Sequence, residues 1–136
     1  MAVTRWGNEA DDKELDNFFK ENYKFKYELV DPDLTDAQLS DIGFRLVLRC
    51  VHTRGDVARD ILGYDLSQTG GSLPTTYFVE GEPRIKTIRA KKIIYKFYLK
   101  NTEYHNIFLG TKWDADETWQ EALKNHIDAM RNEQKF

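Results

Sequence analysis

Seven basic residues, Arg84, Lys86, Arg89, Lys91, Lys92, Lys96 and Lys100, fall between Pro83 and Lys100, with no acidic residue among them. Cations at that density could neutralise a phosphate backbone or meet an acidic protein surface. Tyr95, Phe97 and Tyr98 are interleaved with them, and rings exposed in such a ribbon could stack on bases. Strand alternation places Tyr95 and Phe97 on an apolar face and only Tyr98 on the charged one, which weakens the stacking half of that chemistry. The residues expected to touch a partner are Arg84, Lys86, Lys92, Lys96, Tyr98 and Lys100, with Trp113 as an aromatic anchor of the kind found at interface centres. Replacing Lys92, Lys96 and Lys100 by Glu is expected to weaken that contact while thermal unfolding stays nearly unchanged.

Other chemistries have less to work with. Cys50 and His52 are two apart on a predicted strand and share a face, but no second pair at ligand spacing accompanies them, so neither a metal site nor a cofactor is expected. Arg54-Gly55-Asp56 spells the integrin-binding tripeptide, at the junction of a predicted strand and helix and with no secretory run ahead of it. Gly70-Gly71 lacks the Lys-Ser or Lys-Thr that a phosphate loop requires.

His52, Tyr77 and Glu103 occur in the order of a His, Tyr, Glu triad, with Thr53 beside the His, Thr76 and Phe78 flanking the Tyr, and Tyr104 after the Glu. This pattern resembles the ADP-ribosyltransferase family. The resemblance implies an NAD-binding enzyme in which His52 holds the ribose, Tyr77 stacks on nicotinamide and Glu103 stabilises the transition state. The chain departs from the family in the short His52-to-Glu103 interval and in lacking a glycine-rich approach to Tyr77. A second pattern, Ile94-Tyr95-Lys96 followed by Phe108-Leu109-Gly110-Thr111, is similar to the paired strands of the GIY-YIG nucleases. That family also needs an arginine in the next helix, and positions 113 to 123 contain none.

The elements that must carry these residues follow from periodicity. Leu15, Phe18, Phe19 and Tyr23 recur at helical spacing from Asn8 to Tyr23, and Asn8 or Asp11 can cap that helix. Lys24 to Val30 alternates as a strand, broken by Asp31-Pro32-Asp33. Thr35 with Gln38 makes a capping box for a short helix to Ile42, with Gly43 just past its end. Phe44 to His52 reads as a strand, after which Thr53 or Asp56 can cap a helix that Gly63 stops. Ser67 to Pro74 reads as a loop and Thr75 to Val79 as a strand. A turn at Glu80 to Pro83 then leads into Arg84 to Arg89. Lys92 to Lys100 puts Ile93, Tyr95, Phe97 and Leu99 on one face, and it turns back into Tyr104 to Leu109. Asp114, with Glu117 three residues on, opens a last helix to about Asn132 whose stripe is Trp119, Leu123, Ile127 and Met130. This order predicts a single α+β domain over residues 1–136, a mainly antiparallel sheet of about five strands with the first and last helices on one face.

Composition bounds the whole. With 136 residues, 40% hydrophobic and 13% aromatic, the chain can bury one ordinary core and is too apolar to be obligatorily disordered. No stretch approaches the roughly 20 apolar residues of a membrane helix, and a single cysteine fits a reducing, cytoplasmic setting. The formal charge of −3 conceals an asymmetry: +7 between Pro83 and Lys100, and 13 basic against 23 acidic residues, −10, elsewhere. These features together predict a non-enzymatic interaction protein, a small subunit or inhibitor docking on a larger protein assembly, with a protein partner or a second copy as its ligand. A small phage or virus accessory protein has this profile. Nucleic-acid binding through residues 84–100 is the first alternative, and the NAD-binding transferase is the second.

Overall fold

The computed structural model describes residues 1–64, 71–108 and 112–134. The chain opens on a three-residue strand, β1 (Ala2–Thr4), and continues through α1 (Glu9–Asn22), β2 (Glu28–Val30), α2 (Asp36–Asp41), β3 (Leu46–Arg54) and α3 (Gly55–Leu62). β4 (Ser72–Val79), β5 (Glu82–Arg89), β6 (Ile93–Asn101), β7 (Ile107–Phe108) and α4 (Trp119–Gln134) complete it. Five strands form one sheet in the order β2-β1-β3-β6-β7, and β4 and β5 form a second, two-stranded one.

The fold is therefore mixed helix and sheet, as expected, but the larger sheet is mixed rather than purely antiparallel. β1 runs parallel to both of its neighbours, β2 and β3, while β6 and β7 are antiparallel. The sequence hides β1 for a physical reason: an interior strand covered on both faces has no polar side to alternate with. Ala2 and Val3 are almost fully buried.

Two compact units divide the chain, one of residues 1–49 with 98–108 and one of residues 50–97 with 109–136, so that β3 and β6 each run from one unit into the other. In the first, Ala2, Val30, Leu39 and Val47 make a core with Leu34 and Phe44 against it. Local signals account for its helices. Asn8 Oδ1 accepts the Asp11 N–H at 2.8 Å, and Glu9, Asp11 and Asp12 in the first turn of α1 complement the helix dipole. Thr35 and Gln38 form the full capping box ahead of α2.

In the second unit the core is Ala58, Leu73, Ile88, Ala90, Ile94, Trp113 and Ala115. Gly55 opens α3 where a side chain has no room, since a Cβ there would lie 3.0 Å from Leu73 Cδ1 and 3.3 Å from the Ala90 carbonyl. α3 has no side-chain cap, so neither Thr53 nor Asp56 serves as one. β4 starts at Ser72, inside the expected loop, whose residues 67–70 lie outside the described ones. Pro74 is tolerated in this strand because its position opposite Thr87 alternates with the hydrogen-bonded pairs, which leaves its missing N–H directed away from β5. Glu80 (φ 51°) and Gly81 (φ 82°) make the two-residue turn whose left-handed backbone matches strand twist. α4 begins after Thr118, whose hydroxyl accepts the Glu121 N–H at 3.3 Å. Asp114 is not the cap; it is buried instead.

Candidate functional site

The basic residues of the 84–100 segment divide into several fates. Arg84, Arg89 and Lys91 are exposed and form no ion pair among the described residues. Lys86 lies 2.7 Å from Asp116 and 3.3 Å from Glu121, with its ammonium 5.5 Å from the Tyr77 ring. Lys92 stays exposed, 3.9 Å from Glu117. In the other unit, Lys100 lies 2.6 Å from Asp36, and Tyr98 is half-buried.

Lys96 departs furthest from expectation. Its side chain is 0% exposed, 2.7 Å from Asp114 Oδ1, and it donates to the Phe97 carbonyl at 2.7 Å. The predicted faces of β6 fail because the strand is covered on both sides over this stretch: Ile94 and Phe97 are both buried, while Ile93 is 52% exposed. A buried ammonium requires a counter-ion, and Asp114 supplies it. Trp113 also leaves the candidate surface. It is 7% exposed, meets Tyr64 edge-on at 4.9 Å and lies under the Arg59 guanidinium.

Around Asp114 a charged cluster is enclosed that sequence reasoning did not assemble. His126 Nδ1 lies 3.5 Å from Asp114 Oδ2, and neither ring nitrogen of His126 completes a hydrogen bond. Asn125 donates to the Asp114 carbonyl at 3.2 Å and to Asp116 Oδ2 at 3.0 Å. Burial alone would raise the Asp114 pKa, but the Lys96 ammonium and His126 outweigh it and the carboxyl stays below its ordinary range. Burial likewise lowers His126, against the pull of Asp114, so its imidazole resists protonation. Cys50 is pushed up to about 12 by burial, only partly offset by Lys96, which leaves a thiol unsuited to act as a nucleophile.

Asp36 organises the first unit, meeting Arg49 at 2.7 Å, Lys100 at 2.6 Å and His105 at 3.4 Å. Burial would raise its carboxyl, yet Lys100 and Arg49 hold it down at about 2. The three candidate transferase residues have other engagements. His52 stacks on Tyr95 with ring centroids 3.8 Å apart, its Nδ1 3.0 Å from the Ile94 carbonyl. Tyr77 lies beneath Lys86, and Glu103 accepts from Arg45 at 2.9 Å. Of the nuclease-like pattern, Leu109 to Thr111 lie outside the described residues, and Tyr95 bridges to Asp116. Arg54 and Asp56 pair with each other at 2.7 Å around a buried Gly55.

No protein-family model, curated protein or solved structure matches the chain. Its chemistry rests on its own geometry. Among the described residues no three His, Cys, Asp or Glu side chains gather as a metal site, and no helix is long and apolar enough to cross a membrane. A groove beside the Glu80-Gly81 turn is lined by Phe78, Glu80, Lys124, Asp128 and Arg131, with Lys124 and Arg131 both paired to Asp128. Several large apolar side chains are exposed among the described residues, Tyr104, Ile85, Ile42 and Ile61 foremost; Ile85, 70% exposed, is the one on the strand that also carries Arg84 and Arg89. Sequence reasoning named Arg84 and missed Ile85, which lies on a strand with β4 as its one strand neighbour among the described residues.

Proposed function

We propose that the protein is a non-enzymatic assembly component that docks on other protein chains through the β4–β5 hairpin. The observation that supports this is the outer strand of that hairpin, an exposed isoleucine set among cations with no ion pair among the described residues. One exposed isoleucine is ordinary on a protein surface; what suits a protein partner here is that it stands on a strand edge open among the described residues and able to take up a further strand. The groups that could do chemistry are engaged elsewhere: Lys96, Asp114 and His126 in a closed interior, Cys50 as a neutral thiol, Glu103 on Arg45.

The test is a pair of titrations on the full chain, with a duplex oligonucleotide at low and moderate salt and with NAD, each repeated on an Arg84→Ala, Arg89→Ala, Lys91→Ala variant. Assembly predicts that neither ligand binds and that the variant behaves as the parent does. Duplex binding that collapses with salt and is lost in the variant would make the protein a nucleic-acid binder instead. NAD binding that His52→Ala and Tyr77→Ala abolish would make it a transferase.

A further inference from the structure

β5 has one strand neighbour, β4, and its other edge is open among the described residues. The two-residue turn fixes which backbone groups face which way. Val79 and Glu82 close the hairpin as a hydrogen-bonded pair, and the pattern alternates from there, so Glu82, Arg84, Lys86 and Ile88 bond to β4. Pro83, Ile85, Thr87 and Arg89 direct their backbone groups outward. The same alternation turns Thr76, opposite Ile85, away from β5, where its N–H donates to the Trp113 carbonyl at 2.8 Å. Pro83 blunts the turn end of the open edge, having no N–H to offer. Ile85 and Thr87 leave the rest of it able to pair.

Charge along this strand is uneven. Glu80 and Glu82 stand at the turn end, Arg84 and Lys86 in the middle, the latter already tied to Asp116 and Glu121, and Arg89, Lys91 and Lys92 at the other end. A strand with opposite charge at its two ends is complementary to a second copy of itself run antiparallel. We propose that two copies of the chain pair through their β5 strands about a two-fold axis, extending the two-stranded sheets into one continuous sheet.

Like-charge repulsion selects the register. With the axis at Arg84, Ile85 or Lys86, the facing residues are Arg84 on Arg84, Arg84 on Lys86, or Lys86 on Lys86, each of them destabilising. With the axis at Thr87, no like charges oppose. Thr87 faces its own copy, Ile85 lies under the aliphatic stem of Arg89, and Glu82 reaches the Lys91–Lys92 turn of the second copy. An isologous contact of this kind closes as a dimer. The cations, together with Pro83, whose missing N–H excludes an axis at the turn end, thus leave the edge one partner and one register.

The proposal rests on reading the chain as a protein-binding component, and the two can fail separately. Sedimentation equilibrium of the full chain, from low-micromolar to sub-millimolar concentration, should show mass rising from 16.0 kDa to twice that value. Thr87→Pro removes an outward N–H at the axis without breaking a bond to β4 and should leave a monomer with parental thermal unfolding. Ile85→Arg, placed against Arg89, should weaken dimerisation roughly tenfold, and Ile85→Glu should tighten it by a similar factor. A mass of 16.0 kDa throughout, or a dimer indifferent to Thr87→Pro and to the sign at position 85, overturns self-pairing. Duplex or NAD binding, by contrast, would overturn the assembly reading itself.

Discussion

Lys96 shows how one residue can look like a contact and be a foundation. Its position within a run of cations reads as surface, yet it is fully enclosed with Asp114. The signal available in the sequence was Ile94, two residues away and therefore on the same face of the strand. Asp114 carried a different signal, a helix-cap pattern with Glu117, which Thr118 fulfils instead. Breaking a buried ion pair leaves one charge unpaired, so Lys96→Glu, or Asp114→Ala, should destabilise the protein by roughly 3–5 kcal/mol in chemical denaturation. This reverses the expectation that replacing Lys92, Lys96 and Lys100 together would spare stability. The combination Lys96→Met with Asp114→Leu should recover most of the loss, because it removes both charges of the pair together and leaves neither partner unpaired.

His126 extends the cluster and gives it a pH dependence of fixed sign. Burial keeps its folded pKa below that of an unfolded histidine, about 6.5. As pH falls below that value, the unfolded chain takes up a proton that the folded chain refuses, so stability declines toward acid, by at most about 1.4 kcal/mol per pH unit from this one group. The charged groups acting on it are Asp114, Lys96 and Glu133. His126→Phe should hold stability at neutral pH and flatten the slope between pH 7 and 5, measured by denaturant unfolding across that range. An unchanged slope would place the titration elsewhere.

Elements were legible where local chemistry decides them. Asn8 caps α1, Thr35 and Gln38 cap α2, and α3 ends at Gly63, all readable from residue type and spacing. They were illegible where tertiary burial decides. β1 is too short and too fully covered to alternate, and β4 continues through Pro74 because of the hydrogen-bond phase there. The hairpin that carries the proposed contact depends on its turn. Gly81 sits at φ 82° in open space, so Gly81→Ala meets no neighbour but strains the backbone, and a loss of about 1 kcal/mol is expected by thermal unfolding. Because the turn sets the register of β5, that variant should also weaken self-association, which the structurally neutral Ile85→Glu should not.

Across the whole molecule, the formal charge of −3 is a difference between unlike regions. The structure divides the basic one further: Lys96 and Lys100 serve as internal ties, Lys86 is held by Asp116 and Glu121, and Arg84, Arg89 and Lys91 remain for a partner. Sequence alone located the region but not that division, because the counter-ions Asp36, Asp114 and Asp116 lie far from it along the chain. Charge asymmetry of this kind bears on association rather than on fold. The claim that the open edge of β5 is the contact can be read amide by amide, by hydrogen exchange at dilute and concentrated protein. Ile85 and Thr87 should exchange quickly when dilute and slowly when concentrated, while Arg84 and Lys86, bonded to β4, stay protected at both. Exchange at Ile85 and Thr87 that does not change with concentration would contradict it.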